Sequence, residues 1–406
     1  MNDTDHQYAP AIPAFYDFSP RPPAVKSECI RAYITPTNGA TFAPSSQITL
    51  ELACGTPGQM IDPSQTALSF RIFNGTSQSI QLDKSAACVL SQIDVFHGSP
   101  AVRTITKTSG TMRGVADYVP AAILTAANFA DAYYARLGAT IAPGGFLTVC
   151  VPLVSILGSM SMRAWPISQA KENVRIVIKL ADVLNYGKWS AAPVGTCAID
   201  NFKMWVSYIR IDPNVERKMV MDHGGVITVP CVDFVQTSTS VAAGSNYVSM
   251  PIAVRAKSAT AIFVAIRKTA NLGALGVFNL DRFTGGDTVG NVSYRFRIGS
   301  TIIPSSYVTA GAESRMELMR AMGMQLSEST ARTCVSAADY LNTAFVIGVS
   351  LQCFPMTEAL GDGLLIDSTI ILEINLGTQT SAIRLDAFVQ MEKSLVFANG
   401  AITFDA

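Results

Sequence analysis

Residues 30–52, IRAYITPTNGATFAPSSQITLEL, and residues 230–252, PCVDFVQTSTSVAAGSNYVSMPI, align without a gap at an offset of 200. Each begins as an extended run and passes through a Thr/Ser-rich turn. Each then crosses small residues to Ser45 or Ser245 and ends in an alternating stretch. Ile48, Leu50 and Leu52 stand where Val248, Met250 and Ile252 stand in the second copy. Side chains on a strand point alternately to its two faces, so alternation of this kind predicts a half-buried β-strand. Finding it twice, in the same local setting, points to an internal duplication.

The correspondence continues in order. Leu68–Ile72 (LSFRI) matches Ala261–Ile266 (AIFVAI), with Phe70 set opposite Phe263. Ile93–Ser99 (IDVFHGS) matches Tyr294–Ser300 (YRFRIGS); in both a strand ends at Gly-Ser, where a tight turn needs a permissive backbone. Phe146–Pro152 matches Phe345–Pro355, and Ile176–Asp182 matches Ile371–Gly377. Each half closes on a long extended stretch, Ala198–Ile211 and Ala382–Phe397. Identities are few, and all β-sandwich sequences look alike at this coarseness. The ordered series favours duplication.

Many short strands separated by turn clusters such as Thr-Asn-Gly and Ala-Pro-Gly-Gly place the chain in the all-β sandwich or barrel class. Two helical patches interrupt it, Ala121–Leu137 and Ala312–Met322. The second has Met and Leu spaced for one buried face. The expected organisation is an extended arm over residues 1–27, a first sandwich over 28–212, a charged turn as linker over 213–224 and a second sandwich over 225–406. Pro10, Pro13, Pro20, Pro22 and Pro23 keep the arm out of any sheet interior, and Tyr8, Phe15, Tyr16 and Phe18 suggest that it docks on something.

Composition narrows the function. Of 406 residues, 49% are hydrophobic and only 15% charged, against about 25% in ordinary soluble domains. Much of the surface is therefore expected to face other protein. A formal net charge of zero argues against direct packaging of nucleic acid, which needs an excess of Lys and Arg. The eight cysteines contain no C-x-x-C pair and read as buried free thiols from a reducing compartment. No secretory signal stands at the N-terminus, and the sequons at Asn2, Asn74 and Asn291 read as unused.

Three passages give the chain a wider resemblance. They are Leu90–Ser99; Val151–Gly158 followed by Val174–Asp182 and Asn201–Arg217; and Tyr294–Pro304 with the helix after it. In order and spacing they resemble the double jelly-roll major capsid proteins of DNA viruses, the lineage of adenovirus hexon, virophages and polinton-like elements. The resemblance implies two tandem eight-stranded antiparallel jelly rolls with short helical insertions. It also implies homotrimers of pseudo-hexameric outline that self-assemble into an icosahedral shell. Implied partners are other copies of the chain, minor capsid and vertex proteins, and the genome or an inner membrane; the implied location is the virion.

No enzymatic constellation competes with that reading. His6, His97 and His223 lie in the arm, at a turn and in the linker, without sign of convergence. G-x-S-x-G, H-E-x-x-H, Walker A and Rossmann patterns are absent from the sequence. Gly285–Gly290 lacks the Lys of a phosphate loop and reads as a surface turn. Asp281 and Asp287 flank a loop that could hold calcium; a solvated loop is the preferred reading. Arg255, Lys257, Arg267 and Lys268 either face a genome or membrane or are ordinary exposed positions. Trp165, Trp189 and Trp205 read as core and interface anchors rather than a sugar platform. The expectation is no catalytic residue, no cofactor and no metal. The competing functions are a tandem sandwich that binds carbohydrate, or an adhesin, and a β-sandwich hydrolase.

Overall fold

The computed structural model describes residues 27–82, 89–98, 101–106, 140–152, 164–271, 274–275, 292–309, 311–321, 340, 345–352, 363–377 and 379–405. The arm, the patch at 121–137 and the Gly285–Gly290 loop with Asp281 and Asp287 lie outside these residues. The first half contains β1 (Ser27–Ile34), β2 (Thr41–Phe42), β3 (Gln47–Leu52), β4 (Gln59–Thr76), β5 (Ile80–Leu82) and β6 (Leu90–His97). It continues with β7 (Ala101–Thr106), β8 (Thr140–Ile141), β9 (Phe146–Pro152), β10 (Val174–Leu180), β11 (Gly187–Trp189) and β12 (Gly195–Ile211). Helix α1 (Pro213–Asp222) follows. The second half holds β13 (Val226–Val241), β14 (Tyr247–Ile252), β15 (Ala256–Lys268), β16 (Ser293–Ile298), β17 (Thr301–Thr309) and helix α2 (Ala312–Ala321). It ends with β18 (Val346–Ser350), β19 (Leu364–Ile366), β20 (Ile370–Asn375), β21 (Ile383–Ala398) and β22 (Ala401–Asp405).

Sheet order shows what the duplication builds. The first half forms sheets β1-β12-β4-β9 and β3-β10-β6-β7, and the second forms β13-β21-β15-β18 and β14-β20-β16-β17. Count only these long strands, one to eight in each half. Both halves then read 1-8-3-6 in one sheet and 2-7-4-5 in the other. Strands 1 and 8, 2 and 7, 3 and 6, and 4 and 5 are neighbours throughout. That is one long antiparallel ribbon rolled into two facing sheets, the jelly roll.

The alternating stretches face inward as their pattern demands. Ile48 pairs with Ile178, which pairs with Ile93, and all three are fully buried. From the facing sheet come Leu68, Phe70 and Ile72, and Phe70 stacks on Phe202 at 5.3 Å between ring centroids. The two Gly-Ser turns also match: Gly98 and Gly299 follow strand 4 of their rolls with φ of 67° and 58°, where a side chain would be strained.

Four expectations need correction. The interval after Ile211 is a helix, not a charged turn. Asp212 caps it, its carboxylate accepting from Asn214 N at 2.8 Å, and Pro213 supplies the fixed φ that suits a first helical turn. Glu216 anchors the helix to the first roll: buried, it accepts from Gly58 N at 2.5 Å, from Gln169 Nε2 at 2.9 Å and from Ser168 Oγ. Second, Phe70 and Phe263 are not equivalent. Phe263 pairs with Phe388 and Gly348, on the same face as the exposed Ser238, so it points out of the sandwich while Phe70 points in. Register shifts between Ala259 and Ala261, and between Asp200 and Lys203, change the parity, and a one-residue slip moves a side chain to the other face. Third, α2 buries Ser314, Leu318, Met319 and Ala321, but Met316 is 41% exposed. Fourth, Arg267 is no surface cation: it is 2% exposed and paired with Asp386.

The outer faces of the two equivalent sheets differ. From Thr66 to Asn74 β4 alternates buried and half-buried, whereas β15 is buried on both faces from Ser258 to Ile266. Helix α2 covers part of the second face, with Leu318 lying over Gly348 of β18. A buried hydroxyl chain ties it down. Tyr294 OH and Ser314 Oγ lie 3.3 Å apart, Ser314 Oγ and Tyr340 OH 2.8 Å, and Tyr340 OH donates to Val346 O at 2.9 Å. Burial pushes both phenols well above their ordinary range, so they stay neutral donors.

The rolls meet along a defined joint. The hairpin β21–β22 of the second roll packs on the first. Phe397 lies 6.4 Å from the Trp165 ring, Lys171 N donates to Gly400 O at 2.9 Å, and Ile402 N donates to His97 Nδ1 at 3.3 Å.

Candidate functional site

The two described histidines and the described cysteines do not converge on one site. His97 sits in the joint between rolls, and His223 is the exposed C-cap of α1, its Nδ1 2.8 Å from Met219 O. Among the described residues no group of three or more His, Cys, Asp or Glu is placed to hold a metal ion. Cys54 and Cys150 are half-buried and Cys197 is buried, and loss of water raises all three thiol pKa values, that of Cys197 to about 11. Such thiols remain protonated at neutral pH and are poor nucleophiles. Cys29 is exposed. Asn74 is fully buried and donates to Gln78 O and Ile141 O, which closes its sequon to glycosylation. No helix among the described residues is long and apolar enough to cross a membrane.

What the structure does display is a set of sheet faces decorated with cation–aromatic pairs. On β4 and β12 of the first roll, Arg71 donates twice to Asp200, both at 2.6 Å, and its guanidinium lies 5.1 Å from the Phe146 ring. Beside it, Tyr33 and Trp205 meet edge to face at 4.9 Å, with Lys203 over Tyr33 at 5.8 Å. Trp205 is thus a surface residue, 38% exposed, whereas Trp165 and Trp189 are core. On the other sheet Arg175 lies 4.8 Å from the Phe96 ring. In the second roll Arg295 lies 4.4 Å from the Tyr307 ring and donates to Glu373 at 2.6 Å, while Arg297 approaches the same carboxylate at 3.6 Å. Arg and aromatic residues on a face whose charges are already paired are the groups enriched at protein contacts. The sequence pattern displayed these residues only as alternate positions of strands. Their pairing needed the register.

The Glu373 cluster has a pH signature. The hydrogen bond from Arg295, then its charge, hold the Glu373 carboxyl below the usual carboxylate range against the opposing effect of burial. A carboxyl with a depressed folded value stabilises fully above its unfolded value of about 4.3 and loses that contribution as pH falls through the folded one. Glu373→Gln is therefore expected to flatten the fall in thermal midpoint as pH drops below the ordinary carboxylate value of about 4.3. Parallel midpoint-against-pH curves for parent and variant would contradict it.

Comparison with known proteins follows the geometry. No protein-family model matches the chain, and no curated protein matches it. Solved structures do. The chain is similar to PBCV-1 VP54 as fitted into a cryo-EM reconstruction of the virophage Sputnik, with a TM-score of 0.68 and 11% identity over 96% of this chain and 99% of that one. It is similar to the 3.5 Å cryo-EM structure of the Sputnik virophage, with a TM-score of 0.58 and 10% identity over 98% and 93%. It is also similar to the mavirus major capsid protein, with a TM-score of 0.53 and 10% identity over 100% and 97%. At such identities the likeness establishes the fold, a double jelly roll along nearly the whole chain.

Proposed function

We propose that this chain is the major structural subunit of a virus shell, assembling as homotrimers of pseudo-hexameric outline. One observation carries the reading: the strand order 1-8-3-6 over 2-7-4-5 occurs twice in one chain, and the whole arrangement superposes on capsid proteins end to end. Two like rolls, residues 28–212 and 225–406, give each subunit two similar wedges, and three subunits close a six-wedged ring through head-to-tail contacts. Low charge supports this, since side chains at such contacts bury without leaving ions unpaired. The faces built from arginine–aromatic pairs are recognition surfaces in this reading, and the protein acts by assembly rather than by catalysis. Its place is the virion, and minor capsid and vertex proteins are its further partners.

Sedimentation of the purified chain tests the proposal. The expected species has three times the 43.3 kDa mass of one chain, with shells or ring-shaped particles in electron micrographs. A chain that remains monomeric at high concentration and binds glycan would overturn it in favour of a carbohydrate-binding sandwich.

A further inference from the structure

The outer face of the β1-β12-β4-β9 sheet carries an aromatic stripe. Tyr33 and Trp205 are cross-strand partners on β1 and β12, 60% and 38% exposed. Trp205 also stands in register with Ala67 of β4. Further along β4, Phe73 is the partner of Phe146 on β9, which is 61% exposed. At about 3.3 Å per residue along a strand and about 4.8 Å between strands, Phe146 lies about 22 Å from Trp205 on a diagonal. Lys203 and the Arg71–Asp200 pair occupy the rows between them. In the second roll the like face lies partly under α2. Exposed apolar groups gathered in this way mark a contact site.

The chain carries a segment that fits the stripe. Residues 1–26 lead into β1, the edge strand of this same sheet. They contain Pro10-Ala-Ile-Pro13 and Pro20-Arg-Pro-Pro23, two P-x-x-P spacings. Such spacing favours the polyproline II helix, which aromatic-lined surfaces recognise because it arrives already ordered. The lengths agree. From Ser27 to Tyr33, β1 covers about 20 Å. A segment folded back over β1 from Ser27 brings Pro20 to about 22 Å, since the polyproline II rise is about 3.1 Å per residue. Phe146 lies beyond Tyr33 in the direction in which β1 runs. Continuing that way, Pro13 falls about 22 Å past Pro20, which is the spacing from Trp205 to Phe146. Asp17 lies between these prolines, as Lys203 lies between these rings.

We propose that residues 10–23 fold back over β1 and dock on the Tyr33–Trp205–Phe146 stripe of their own chain. The segment is tethered to the sheet it covers, and a short tether sets an effective concentration on the order of millimolar. Binding within the chain therefore needs only a weak contact. The segment does for the first roll what α2 does for the second. The inference is independent of the assembly reading, because it applies to a single chain.

Tryptophan fluorescence tests it. Of the three tryptophans Trp165 and Trp189 are buried, so acrylamide quenching reads Trp205. The full chain is compared with one in which residues 8–23 are replaced by a Gly/Ser repeat of equal length, with circular dichroism to verify that both are folded. The quenching constant is expected to rise at least about twofold on replacement, because a millimolar effective concentration keeps any tighter contact occupied more than half the time. The rise should persist at dilutions where sedimentation finds single chains, and it should vanish in a Trp205→Phe background. Equal quenching of the two chains overturns the proposal, whatever their state of assembly. A rise that survives Trp205→Phe also overturns it, since the segment then shields another ring. Shielding that disappears on dilution to single chains overturns it in favour of docking on a second copy, and leaves the capsid reading standing.

Discussion

Asp386→Ala is expected to cost about 3–5 kcal/mol of unfolding free energy, because it strands a buried guanidinium. Asp386 is fully buried near the start of β21. It accepts from Arg267 Nε at 3.1 Å and Nη2 at 2.6 Å, and from Arg384 Nε at 2.9 Å. Arg267 and Arg384 are cross-strand partners, so removing the carboxylate leaves two cations facing each other. The first roll supplies an internal control. Asp200 also lies on strand 8 and pairs with an arginine of strand 3, but that pair with Arg71 is 20% and 34% exposed. There Asp200→Ala should cost far less, since water screens the pair and replaces the partner. Arg267→Met combined with Asp386→Leu should recover most of the loss, because an apolar pair needs no counter-charge. Chemical denaturation of the four proteins decides it; equal losses from Asp386→Ala and Asp200→Ala would refute the burial argument.

Gly348→Val is expected to cost about 2–3 kcal/mol through overpacking beneath α2. A Cβ at Gly348 would stand 2.7 Å from Leu318 Cδ1, 2.9 Å from Leu318 Cα and 3.2 Å from Ala321 Cβ. One of these is backbone, so no rotamer change relieves the clash and the helix has to move. Moving it disturbs the Tyr294–Ser314–Tyr340 hydroxyl chain as well. The mechanism has a distinguishing consequence. Leu318→Ala trims the side chain but leaves the Cα in place, so it should not rescue Gly348→Val. Thermal unfolding of the double variant checks this; recovery to the level of Leu318→Ala alone would show that only the side chain was in the way.

The outcome of reading the sequence varied with the kind of information each segment carries. Ile48-Leu50-Leu52 and Val248-Met250-Ile252 are strand 2 of their rolls at the same offset of 200, because alternation on a half-buried strand is a local property. The Gly98 and Gly299 turns were legible for the same reason. Phe70 and Phe263 looked alike but face opposite ways, since parity depends on bulges that composition does not mark. Arg267 read as a surface cation because its counter-charge, Asp386, lies 119 residues away in sequence and beside it in the sheet.

The repeat returns to the centre of the matter. By itself the sequence determined that the chain is all-β and duplicated, and where most strands of one copy recur in the other. Those are consequences of periodicity, turn chemistry and order along the chain. Only the tertiary structure decided which faces are covered. Helix α2 and the Arg267–Asp386 pair close the outer face in the second roll, while Tyr33, Trp205 and Phe146 stay exposed on the first. It also decided that the hairpin after β21 packs on Trp165 of the first roll. Burial and pairing are set by residues distant in sequence. Two nearly identical strand patterns can therefore fold alike and still present different surfaces.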